Sequence, residues 1–333
     1  MKRNILIIGN SHPSSIENMF YHSFKKLNLK VNFLDPNLSL KNFQRNKFYF
    51  KLFKKDYYKA YNAVLYQNLQ KKYLSNIIFF FKGENLNKEL MKKIKKFKDN
   101  IYINFYTDNP FYKQSKDYQL IKFFDFYFTW SRNTKKKIIT KKLLKKNKVH
   151  YIPFGFDSRY RKKSNYLNSS NGRYLFYGSW DKQRERLIDS LQLNNIDIYG
   201  NGWENSELSF KYNYKIYFED IYGQKLSNLI NKYHAVINLN RPQVLKAHNM
   251  RLFEVTGYGG LIVTNETEET LSFFKKNEEI ITYKNNRELK DIVKSGIKIS
   301  DIKRMRKKSF IKSKKHSYEN RCKKILKILN NDR

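Results

Sequence analysis

The apolar residues of this chain fall in short unbroken runs, and nothing else in the sequence limits the fold so tightly. Ile5–Ile8, Ile77–Phe81, Ile101–Tyr106, Tyr174–Tyr177, Ala235–Leu239 and Leu261–Val263 are each too short for a stable helix. Most end in a polar or glycine-bearing tip: Asn10-Ser11-His12, Gly83-Glu84, Asp108-Asn109, Gly178-Ser179 and Thr264-Asn265. Gly200-Asn201-Gly202 closes a similar run at Ile196–Tyr199. A strand that is apolar throughout is buried on both faces, as in a parallel sheet covered by helices. Amphipathic segments such as 14–27, 182–191 and 222–232 lie between the runs and supply those helices.

The βα pattern starts twice. Its first pass ends at Pro153-Phe-Gly-Phe-Asp157, a polar Ser/Asn-rich stretch follows to Gly172, and a new strand opens at Tyr174. A chain of 333 residues exceeds what one core usually supports. The expected class is therefore α/β, with two Rossmann-like, doubly wound parallel-sheet domains. The first spans 1–157, a linker 158–172 and the second 173–315. Residues 316–333 are expected to be helical. Ligands of such sheets bind beyond the carboxyl ends of the strands, so the polar tips are expected to line a cleft between the domains.

The formal net charge is +39, from 68 Lys and Arg against 29 Asp and Glu. This suits polyanions: nucleic acid, an anionic membrane surface or a phosphorylated substrate. The richness in Lys, Asn, Ile, Phe and Tyr gives the same skew through codon bias alone. No helix-turn-helix, RNA-recognition or zinc signature is present, and no nucleic-acid partner is expected. The single cysteine, Cys322, allows no internal disulfide and reads as an inert thiol. Met1-Lys2-Arg3-Asn4 leads directly into a strand, and no apolar run approaches bilayer length. The expectation is a soluble, cytoplasmic protein. Its basic segments Lys92–Lys96 and Lys135–Lys146 suit peripheral contact with an anionic membrane, or serve only as solvated faces.

Chemistry concentrates between Asn249 and Asn265. Arg251 and Glu254 stand three apart and share a helix face. A guanidinium can meet phosphate oxygens and a carboxylate can accept hydrogen bonds from ribose hydroxyls. The same pair also reads as a surface ion pair beside a helix stop.

Four pieces of the second half resemble the group 1-type glycosyltransferases, specifically the CgeB-like branch named after a spore maturation protein. They are Phe176-Tyr-Gly-Ser179 with Arg184 and Arg186 behind it; Val236-Ile-Asn-Leu-Asn-Arg241; His248-Asn-Met-Arg-Leu-Phe-Glu254 through Gly260; and His316-Ser-Tyr-Glu-Asn-Arg321. The resemblance covers roughly Gly172–Leu329. It implies the GT-B arrangement and transfer of a sugar, of the hexosyltransferase type, from a nucleotide-diphosphate sugar bound mainly to the second domain. The acceptor would be a glycan, a lipid-linked glycan or a protein.

Under that resemblance Glu254 holds the donor ribose. Lys246 stands where the broader group 1 pattern has a second Glu, and a lysine there could meet phosphate directly. Arg251 and Arg184, with Arg241 behind them, are the phosphate candidates. Gly178-Ser179 and Gly259-Gly260 are expected to let backbone approach the diphosphate. Gly200 and Gly202 are placed beside base and ribose. His248 is weighed for a role facing the donor, and Asn249 for a helix cap. His12 and Asp108 are the candidate bases for acceptor activation. The resemblance also implies that the last helix, 316–333, crosses back to the first domain, which would make His316, Tyr318 and Arg321 structural clamps between domains. No Asp-x-Asp pair of the metal-dependent type is seen, so the expectation is no metal and no cofactor beyond the nucleotide sugar as co-substrate. A catalytically inactive scaffold of the same fold, or a basic nucleic-acid-binding protein, are the competing readings.

Overall fold

A computed structural model describes residues 4–331 except 45, 46, 71–76, 84, 98, 113, 114, 116, 163–170, 209–213, 242, 243 and 245. Glu84 and most of the expected linker lie outside the described residues. The chain divides into two compact units, Met1–Pro153 with Cys322–Arg333, and Phe154–Arg321.

In the first unit six parallel strands form one sheet: β1 Asn4–Ile8, β2 Lys30–Leu34, β3 Ile77–Phe81, β4 Ile101–Tyr106, β5 Phe126–Thr129 and β6 Val149–Tyr151. Their order is β2-β1-β3-β4-β5-β6. Every side chain of β3 is buried. Each such side chain contributes roughly 1.5–3 kcal/mol relative to exposure, which is why these runs form the sheet centre. The strand order reverses between β1 and β3, so their carboxyl ends part and leave room for a ligand.

The second unit repeats the plan with β7 Tyr174–Tyr177, β8 Ile196–Tyr199, β9 Lys215–Tyr217, β10 Ala235–Asn238, β11 Ile262–Asn265 and β12 Ile281–Tyr283. The order β12-β11-β10-β7-β8-β9 is the doubly wound dinucleotide-fold order, and its reversal lies between β7 and β10. β9 is a three-residue edge strand whose Lys215 and Tyr217 are exposed. It was not expected from the sequence because so short a charged segment carries no apolar run. The helix Arg132–Thr140 is capped by Ser131, and Lys142 beyond its end adopts φ +52°.

Phe154-Gly-Phe-Asp157 is packed inside the second unit. A Cβ on Gly257 would lie 2.4 Å from the Phe156 ring, and one on Gly155 would lie 2.7 Å from the His316 carbonyl oxygen. Arg321 donates to the Phe154 carbonyl at 2.9 and 3.1 Å, and the Tyr318 N–H donates to Phe156 O at 3.0 Å. His316 sits among Phe253, Phe273 and Phe274. The partners of His316, Tyr318 and Arg321 named here all lie within one unit. Their helix, Tyr318–Asn331, continues into residues counted with the first unit, where Cys322 is fully buried. Among the described residues no helix is long and apolar enough to cross a membrane.

Candidate functional site

The helix Met250–Gly257 follows β10 and lays its first turns beside the carboxyl end of β7. Arg251 Nε donates to the Tyr177 carbonyl at 2.9 Å, and its guanidinium lies 4.9 Å from the Tyr177 ring centroid. Gly178 has φ +145°, and a Cβ there would lie 2.6 Å from Arg251 Nη2. Only glycine therefore lets the arginine close over the β7 tip. Arg184, one turn into the helix Lys182–Leu191, donates to the Ser179 carbonyl at 2.7 Å. Arg184 and Arg241 both face Asp181, at 3.5 and 3.9 Å.

Arg184 and Arg241 thus share Asp181, and Arg251 adds a third guanidinium to the cluster, close enough to Glu254 to favour its charged form. Arg184 is 6 % exposed; burial, then repulsion from Arg251 and Arg241, pushes its pKa down to about 9, and Asp181 offsets this only in part. Its buried Nε–H is the group 3.5 Å from Asp181 Oδ2 and makes no hydrogen bond among the described residues. A buried donor in an unneutralised cationic cluster is costly until an anion satisfies it.

Glu254 lies on the same helix, 4 % exposed. The Tyr177 hydroxyl donates to its Oε2 at 3.0 Å. Burial raises the carboxyl pKa to about 6, while Arg251 and the Tyr177 hydroxyl favour the charged form. Tyr177, itself fully buried with its pKa raised, stays a neutral donor. Sequence reading took Tyr177 for core because it ends a buried strand; only its place before Gly178 hinted at more.

Gly178, Ser179, Arg184, Arg251 and Glu254 therefore converge, with Arg241 beside them. Gly200 and Gly202 instead support the neighbouring loop. A Cβ on Gly200 would meet the Gly178 carbonyl oxygen at 2.3 Å, and one on Gly202 would meet Trp180 Cβ at 3.2 Å. Lys246 is exposed in the turn ahead of the helix. Gly259 and Gly260 are a correction to the expected phosphate contacts. The helix runs back antiparallel to the strands, so both lie past its far end, where Gly260 packs on Ile230 and Val255. Asn249 takes the cap position, yet its side chain makes no cap bond and donates to Asn238 and Asn240 at 2.8 and 2.7 Å. His248 is buried and uses both ring nitrogens, toward Glu269 at 2.7 Å and the Phe154 N–H at 3.2 Å. Its ring packs edge to face on Phe154, Phe253 and Phe273.

In the first unit His12 is exposed in the loop after β1, its Nδ1 2.7 Å from Ser14 Oγ. Asp108, after β4, is ion-paired to Lys82 at 3.0 Å. Lys82 adopts φ +57°, a strained conformation for a lysine, at the tip of β3. Beside them lies a cavity of about 370 Å³ lined by His12, Lys82 and Glu17, among others. Glu17 was missed because a Glu in a first helical turn reads as ordinary helix chemistry. Its signal is Gly9, where a Cβ would lie 2.5 Å from Glu17 Cγ.

This fold is that of the GT-B glycosyltransferases. Anabaena HepE, solved in complex with UDP-glucose, superposes with a TM-score of 0.68 at 12% identity, over 98% of this chain and 99% of that one. A glycosyltransferase from Rickettsia africae gives 0.67 at 12% identity, over 98% and 97%. A UDP-forming α,α-trehalose-phosphate synthase from Burkholderia xenovorans gives 0.66 at 9% identity, over 99% of each chain. A family model described as glycosyl transferase-like matches residues 182–327, which contain Arg184, Arg251 and Glu254. No curated protein sequence matches the chain.

Proposed function

We propose that this chain is a glycosyltransferase that moves a sugar from a nucleotide-diphosphate sugar to a glycan, lipid-linked or protein acceptor. The observation that carries this reading is the Arg184–Arg251–Arg241 cluster at the β7 tip, whose three positive charges outnumber the carboxylates of Asp181 and Glu254 beside them. In the reaction the bond from the anomeric carbon to the phosphate oxygen breaks, and the acceptor oxygen takes the sugar. The acceptor proton passes to a base, and the nucleoside diphosphate leaves with the extra negative charge. Guanidinium groups fixed in place before that charge develops favour the transition state, and no metal is needed for this role. Glu254 then serves the ribose, its hydroxyls replacing the Tyr177 hydroxyl as donors to the carboxylate.

The glycosyl transferase-like family match and the likeness to a UDP-glucose complex support the reading. UDP-sugars are the first donors to try. Assignment to the CgeB-like branch rests on the four motif pieces alone. Contact of the basic segments Lys92–Lys96 and Lys135–Lys146 with an anionic membrane, near a lipid-linked acceptor, belongs to the same proposal.

The test is a thermal-shift screen against UDP-, GDP-, CDP- and ADP-sugars, repeated on Glu254→Gln. A shift of several degrees with one nucleotide class, abolished by the substitution, is expected. No shift with any nucleotide sugar overturns the reading.

A further inference from the structure

The first unit holds two adjoining cavities, of about 370 and 580 Å³, that share Asn10, His12, Asn37 and Asn85 in their walls. Both fall in the size range of ligand sites, and they open beside the β1/β3 reversal where such sheets bind ligands. Their chemistries differ. The smaller is polar, with Glu17 and Lys82 in its wall together with Ser14, Ser15 and Thr107. Glu17 is 7 % exposed, and burial raises its carboxyl pKa; its own backbone N–H, Lys82 and the Asn10 N–H oppose that rise. In one cavity wall the Glu17 carboxylate can accept from a ligand hydroxyl while the Lys82 ammonium donates to it.

The larger cavity is walled by aromatic rings. Phe50 and Tyr57 meet edge to face with centroids 5.0 Å apart, and Tyr57 and Tyr58 lie 5.7 Å apart. Leu38, 55 % exposed, adds apolar surface at its mouth. The Tyr57 hydroxyl donates to Asn37, whose amide also donates to Asp35 at 3.0 Å, so the shared wall between the cavities is held by hydrogen bonds. Aromatic faces beside amide and hydroxyl groups match a sugar ring, which presents C–H groups on one face and hydroxyls at its edge.

We propose that the two cavities together bind a carbohydrate of at least two sugar units, the terminal unit's hydroxyl lying between Glu17 and Lys82 and the preceding unit against Phe50 and Tyr58. The site rests on the proposed glycosyltransferase reading, as the acceptor site of that reaction. Asp108, already paired to Lys82, then positions the lysine and does not touch the ligand itself.

The test is full-length protein on an array of mono-, di- and longer oligosaccharides, with hits measured by titration calorimetry. UDP-glucose titration runs in parallel. Binding to glycans of two or more units is expected, at least 10-fold weaker in Glu17→Gln. Phe50→Ala should weaken oligosaccharides while leaving any single-sugar binding unchanged. UDP-glucose affinity should be the same in both variants, which also reports that they fold. An array with no bound glycan, with single sugars only, or with binding indifferent to both substitutions overturns the proposal. Failure of UDP-glucose titration with intact glycan binding counts instead against the donor reading.

Discussion

The Tyr177 hydroxyl donates to the Glu254 carboxylate at 3.0 Å, and Arg251 is bonded to the carbonyl of that same tyrosine. One residue at the end of β7 therefore orders both the anionic and the cationic side of the candidate donor site. The carboxylate is kept hydrogen-bonded while no ligand is bound, and ligand hydroxyls would exchange for the phenol.

Donor affinity should depend on pH through Glu254. Its folded pKa is raised to about 6, so it loses acceptor capacity below that value. UDP-glucose carries no diphosphate group titrating nearby, and its affinity should rise as pH increases through about 6. Glu254→Gln should flatten that limb. Tyr177→Phe removes a bond that favours the charged form, so the midpoint should move to higher pH. Calorimetric titration from pH 5 to 8 checks all three.

Arg251→Met should weaken UDP-glucose binding roughly 10- to 100-fold, the ~1.5–3 kcal/mol of a hydrogen bond to a charged group. Repulsion on Arg184 is relieved at the same time. Arg241→Gln should therefore lower affinity without lowering the thermal midpoint. A midpoint loss as large as the affinity loss would mean that the cluster serves folding and not binding.

The two glycine positions separate site from scaffold. At Gly178, with φ +145° and Arg251 against its Cα, alanine should abolish UDP-glucose binding while the chain remains folded. At Gly259, φ +89° beyond the helix end, alanine should cost about 1–3 kcal/mol of stability through backbone strain. The folded fraction should keep wild-type affinity. Denaturant melts paired with titrations on both variants give the answer.

Much of the fold was legible because burial on both sheet faces leaves wholly apolar runs: Ile5–Ile8, Ile77–Phe81, Ile101–Tyr106, Tyr174–Tyr177, Ile196–Tyr199, Ala235–Leu239 and Leu261–Val263 each coincide with or overlap a parallel strand. β9 was not, since an exposed edge strand needs no apolar pattern. The motif pair Arg251 and Glu254 was legible from spacing on one helix face. Gly259 and Gly260 were misplaced because adjacency in sequence says nothing about which end of a helix faces the strand tips. Tyr177 and Glu17 were invisible for a different reason: their roles depend on a hydrogen bond or a close approach to residues distant in the chain or on the next element.

His316 gives a stability signature distinct from the site. Burial, and then Arg321, push its pKa down to about 3 from 6.5. The unfolded chain therefore binds a proton that the folded chain refuses between these values, and stability should fall as pH drops below about 6.5. Glu254 acts with the opposite sign between about 4.5 and 6, where the folded state binds the proton more tightly. His316→Gln should reduce the acid-side loss. Thermal midpoints from pH 4 to 8 read it directly.

A crystal structure with UDP-glucose bound bears most directly on donor recognition. The expected result has diphosphate oxygens within hydrogen-bond distance of Arg184 and Arg251, and ribose hydroxyls on Glu254 in place of the Tyr177 phenol. A nucleotide held elsewhere, with the Tyr177–Glu254 bond intact and the three arginines untouched, contradicts it.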